Sequence, residues 1–191
     1  IIFDEIQETP KALTALKYFY EKANQYHIIA AGSLLGVAIH EGTSFPVGKV
    51  EFLDLYPLNF CEFLKALGEN DIVELIEKND IEMLNIFSDK LKNYLKQYLY
   101  IGGMPEVVET YILTKDFTEV RKKQETLLES YEQDFSKHAP NAIVPRIRQL
   151  WNNIPTQLAK ENKKFIYGLI KEGARAREYE IALSWLIDCG L

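Results

Sequence analysis

With 191 residues, 47% of them hydrophobic and 26% charged, the chain has the apolar content for one large domain or two small ones and is not disordered as a whole. It contains no run of about twenty apolar residues, which excludes a membrane-spanning helix, and no secretory signal opens it. The formal net charge of −6 is uneven: residues 141–191 hold eight Lys/Arg against five acids, leaving +3 there and −9 in the first 140, a split that points to two modules with different surfaces.

In chain order, Ile1-Ile2-Phe3 is a β-branched and aromatic run ending in Asp4-Glu5. Continuous apolarity predicts a parallel strand dry on both faces, lying mid-sheet, whose carboxyl end opens into the crevice where ligands bind. An acid there is suited to hold Mg²⁺ through water, and a second to polarise an attacking water. Thr9-Pro10 predicts a helix start, Thr as N-cap and Pro at the first helical position. Leu13, Leu16, Tyr20 and Ala23 carry that helix to about Asn24. His27-Ile28-Ile29-Ala30-Ala31 reads as a second buried strand ended by Gly32-Ser33. Strand, helix, strand implies a parallel pair with a right-handed crossover. The first residue is not Met and already sits inside a strand, so the sequence reads as a fragment.

Val50 to Leu55 reads as a third strand stopped by Tyr56-Pro57. Asn59 and Glu62 have capping-box spacing and start a helix through about Leu67. Residues 71–138 have helical periodicity almost throughout, broken at Gly102-Gly103-Met104-Pro105 and restarted near Asp116 with Glu119. A helix from about Pro145 to Asn162 follows, then the apolar run Phe165-Ile166-Tyr167. Beyond Gly173 to Arg177 lies an amphipathic helix with Tyr179, Ala182, Leu183, Leu186 and Ile187 on one stripe and Gly190 as its stop. This tail is similar to the helical part of a winged-helix module.

Other residues read as ordinary. Cys61 and Cys189 form neither a disulfide framework nor a zinc site; they read as small buried hydrophobes in a reducing cytoplasm. His27, His40 and His138 have no metal-ligand spacing. Asp116, Glu119, Glu125, Glu129, Glu132 and Asp134 read as a solvated helical face. The run from Gly42 to Val50 is not a phosphate loop: five residues separate its glycines, and Val50 stands where Mg²⁺ requires a hydroxyl.

The stretch Ile2 to Pro10 with Leu13 to Tyr20 resembles a prokaryotic AAA-type P-loop ATPase family with winged-helix and C-terminal regions. So do Ile28 to Gly36, Gly48 to Phe60 with Glu62-Phe63-Leu64, and Gly102-Gly103-Met104-Pro105. The resemblance implies a truncated α/β fold: a partial parallel P-loop-type sheet core in 1–68, a helical lid in 69–140, and a winged-helix-like all-α region in 141–191. It implies that Asp4 and Glu5 are the Walker B pair, Asp4 for Mg²⁺ through water and Glu5 for water activation. It implies that Ser33 is the polar residue sensing the γ-phosphate. Gln7 is a weaker candidate on the loop before Thr9. Gly48-Lys49 falls where relatives commonly carry Gly-Arg, but Lys lacks the fork geometry of a finger and reads as solvated. Arg146 and Arg148 are candidate phosphate sensors, and the Gly-Gly-Met-Pro turn a candidate hinge.

No Walker A motif is present. The parent protein is thus expected to bind and hydrolyse Mg²⁺-ATP as a cytoplasmic enzyme, in an oligomer and on a DNA or protein client. This fragment is expected to be inactive alone, with no cofactor tightly bound. The alternative is a non-catalytic module whose 145–191 helices dock on DNA or protein, with Arg175 and Arg177 as phosphate contacts. The apolar stripe of its last helix reads equally as core.

Overall fold

The computed structural model describes residues 1–32, 46, 48–161 and 164–190. These are mostly helical, with one small parallel sheet. They divide into two compact units, Asp54–Tyr131 and the combination of Ile1–Leu53 with Glu132–Leu191.

At the start of the chain, β1 (Ile2–Phe3) pairs in parallel with β2 (Ile29–Ala30), Ile2 opposite Ile29 and Phe3 opposite Ala30. The crossover is α1 (Pro10–Lys22), with Pro10 in its first turn as Thr9-Pro10 predicts, although the Thr9 side chain makes no cap hydrogen bond. A 3₁₀ turn, Ile6–Glu8, precedes it. Ile6, Leu13 and Leu16 form a small buried cluster with Phe3, Ala12, Ile28, Ala30 and Val50 packed against it. The parallel pairing agrees with the sequence, but the mid-sheet expectation does not. Among the described residues the sheet has two strands, and Ile2 is 73% exposed. One neighbour strand and one helix cover only part of a strand's surface, whatever its composition.

The expected third strand, Val50 to Leu55, is also corrected. Residues 51–59 have no regular secondary structure, and Leu53 and Leu55 are 94% and 96% exposed. Apolar composition alone does not make a strand.

In Asp54–Tyr131, α2 (Phe60–Ala66) opens on the predicted capping box. Asn59 Oδ1 accepts from the Glu62 N–H at 2.9 Å, and the Glu62 carboxylate accepts from the Asn59 N–H at 2.8 Å. Then follow α3 (Asn70–Glu77), α4 (Ile81–Ile86), α5 (Ser88–Ile101), α6 (Pro105–Thr114) and α7 (Phe117–His138), which runs on beyond this unit. Phe63 on α2 is fully buried against Ile101, Val107, Val108, Tyr111 and Val120, while Leu64 turns to Ile72 and Val73. The Gly-Gly-Met-Pro break has three causes. Gly102 ends α5 at φ 79° and Pro105 stands in the first turn of α6. At Gly103 a side chain is excluded by the Leu58 backbone, whose N–H donates to the Gly103 carbonyl at 2.7 Å.

Beyond Tyr131, the end of α7 is followed by α8 (Val144–Leu158) and α9 (Ala176–Asp188), packed on each other. Phe135 stacks edge-on with Trp151 and Trp185 at 5.1 and 5.9 Å. Gln157 substitutes for a strand: its side chain accepts from the Ile166 N–H at 3.0 Å and donates to the Ile166 carbonyl at 2.9 Å. This holds the Phe165-Ile166 run against α8. The buried stripe of α9 is Tyr179, Ala182, Trp185 and Leu186, whereas Ile187 is 61% exposed. Both cysteines are half-buried rather than buried. Burial, with the Asp188 charge second, pushes the Cys189 thiol up to about 12.

Candidate functional site

Asp4 and Glu5 follow β1 directly, and the backbone turns sharply there. Glu5 sits in the left-handed region at φ 48°, ψ 45°, as Asn79 and Lys115 do at helix ends, a conformation that costs a non-glycine residue about 1–3 kcal/mol. The Glu5 N–H donates to Asp4 Oδ1 at 3.1 Å. One residue on, the Ile6 N–H donates to the Ala31 carbonyl at 3.1 Å, while the Ala31 N–H donates to Phe3 at 2.8 Å. Two adjacent bonds therefore hold the carboxyl end of β2 beside the turn that carries the acids. Both acidic residues are exposed. Ser33 lies outside the described residues; Gly32, which precedes it, is described.

Gln7, the weaker candidate of the sequence, lies beside the second acid. Its Nε2 donates to Glu5 Oε2. Its Oε1 is buried with no hydrogen-bond partner among the described residues and lies against Gly32, where an added Cβ would stand 2.0 Å from it. The only signal for this in the sequence is an amide two residues after the second acid.

The remaining candidates have local employment. Lys49 forms an ion pair with Glu21 on α1 and lies over the Tyr20 ring; its hydrogen bond holds the Glu21 carboxyl below the ordinary range. Lys49 is thus paired rather than simply solvated. Arg148 donates to Ser136 Oγ at 2.5 Å. Arg146 lines a cavity of about 320 Å³ with Gln149, Lys171, Glu178 and Tyr179. Along α7, Glu119 and Glu125 pair with Lys122 and Arg121, and Asp116 accepts from the Thr118 N–H, which holds its carboxyl low. Among the described residues, no three or more His, Cys, Asp or Glu gather where they could hold a metal, and no helix is long and apolar enough to cross a membrane.

Two family models match the chain. Residues 1–64, the stretch carrying β1, α1, β2 and the two acids, match the model of an AAA domain. Residues 92–191, a little over half of the length, match a domain of unknown function, DUF8612; the chain belongs to that family. No curated protein and no solved structure matches it.

Proposed function

We propose that residues 1–64 supply the Walker B half of an AAA-type ATPase core, with its phosphate loop contributed by sequence outside these 191 residues. The observation that carries this is the parallel β1–β2 pair within the AAA-matching stretch. Its hydrogen bonds bring the strained Asp4-Glu5 turn beside the strand end that leads to Ser33. In this reading Glu5 polarises the attacking water, Asp4 holds the metal through water, and Ser33 senses the γ-phosphate.

Mg²⁺ fits this donor set. It favours hard oxygens, keeps several waters, and is commonly bound by one or two carboxylates together with substrate phosphate. Two exposed carboxylates on adjacent residues meet that description without a full protein cage. When bound, the cation neutralises charge on the phosphate oxygens. The chain's own work is to orient Asp4 and Glu5, which the left-handed turn and the Ile6–Ala31 hydrogen bond both do.

The test is Glu5→Gln in the complete ATPase. Nucleotide binding persists while turnover falls about 10²-fold or more, as expected for loss of a general base. Wild-type turnover in that variant removes Glu5 from the mechanism and the reading with it.

A further inference from the structure

Gln7 is a half-buried amide with an unusual division of labour. Its donor end is spent on Glu5, and its acceptor oxygen is buried against Gly32 with no hydrogen-bond partner among the described residues. A buried orphan acceptor carries a desolvation penalty, so such groups need a reason. The orientation itself is forced. Turning the amide over would bury the NH₂ against Gly32 with nothing to accept from it, and would set a carbonyl oxygen against the Glu5 carboxylate. The reason for Gly32 is equally specific. Its φ lies outside the left-handed region, so no backbone strain requires glycine there; a Cβ at that point would instead push aside Gln7 Oε1, the movable end of a side chain.

We propose that Gln7 is the positioning residue for Glu5, and that Gly32 positions Gln7 in turn. Gly32 offers a flat seat for the amide oxygen, which aims the NH₂ at Glu5 and fixes the carboxylate on its exposed turn. Because Gly32 precedes Ser33, the same contact couples the end of β2 to the water-activating acid. This inference rests on the reading of Glu5 as the residue that polarises water.

Three variants test it in the complete ATPase. Gln7→Glu keeps the size and removes the donor, so kcat falls about 10- to 100-fold while KM for ATP holds, the signature of a misplaced catalytic group. Gly32→Ala displaces the end of a flexible side chain rather than backbone, and reproduces that kcat loss. Combining the two costs no more than either alone, because both break one contact. Turnover within about twofold of wild type in Gln7→Glu overturns the positioning role, as does full additivity of the pair.

A readout independent of turnover uses the 191-residue chain as it stands. The Gln7 side-chain NH₂ resonances in a ¹⁵N correlation spectrum shift in both Glu5→Gln and Gly32→Ala. Unmoved resonances mean the contact is absent and overturn the proposal. The two failures are distinguishable: wild-type turnover in Glu5→Gln sinks the ATPase reading, whereas lost turnover there with unaffected Gln7 variants sinks only the positioning role.

Discussion

A methyl group added at Gly103 would stand 2.1 Å from the Leu58 carbonyl oxygen and 3.0 Å from its nitrogen, and both are backbone atoms that cannot swing aside. The adjacent Gly102 meets nothing within 4 Å and owes its identity to φ 79° alone. The two glycines therefore answer to different physics. Gly103→Ala is expected to cost about 2–3 kcal/mol by forced backbone displacement. Gly102→Ala is expected to cost about 1–3 kcal/mol, because φ 79°, ψ −172° is a conformation open essentially to glycine alone. Urea midpoints rank them; a Gly103→Ala variant as stable as wild type contradicts the close approach to Leu58. In the sequence the pair reads only as a break, since neither a positive φ nor a distant backbone contact is written in a Gly-Gly dipeptide. Gln7 was obscured for the same reason: its partner Gly32 lies 25 positions away.

Among the elements, α2 is the most fully legible, because a capping box is local chemistry. Asn59→Ala removes the acceptor for the Glu62 N–H and is expected to lower stability by about 1 kcal/mol. Glu69, next along the chain, joins elements that the sequence does not connect. Its carboxylate accepts from Lys90 at 2.7 Å and from the Tyr94 hydroxyl at 2.5 Å. The Lys90 bond first, and the Tyr94 bond second, hold its carboxyl below the ordinary value. A depressed folded value contributes stability above the ordinary glutamate range and loses it as pH falls through the folded value. The gap in urea midpoint between wild type and Glu69→Gln is therefore expected to narrow from about pH 7 to about pH 3; a constant gap contradicts the contribution.

The strands were harder to read than the helices. Val50 to Leu55 has the composition of a strand but no regular secondary structure over 51–55, because a ladder depends on more than composition. On α9, helical spacing admits either Trp185 or Ile187 beside Leu186. The aromatic contact from Phe135 on another helix decides for Trp185.

At the scale of the molecule, residues 54–131 carry two buried clusters of their own, and they are expected to fold without the rest. Expressed alone, that segment should give a helical circular-dichroism spectrum and a single cooperative urea transition; a gradual, non-cooperative loss of helix contradicts it. The order of elements was legible because helix periodicity and caps are local. Where the units divide was not, since α7 continues unbroken through Tyr131. Ser33, on which the reading of the first strands partly depends, lies outside the described residues.

The central claim is that Asp4 and Glu5 face bound metal–nucleotide beside the end of β2. Paramagnetic relaxation from Mn²⁺-ATP, bound to the complete ATPase in place of Mg²⁺-ATP, tests it most directly. The account predicts strong broadening of the Asp4, Glu5 and Gly32 amide resonances. Sharp signals at all three positions under saturating Mn²⁺-ATP would contradict it.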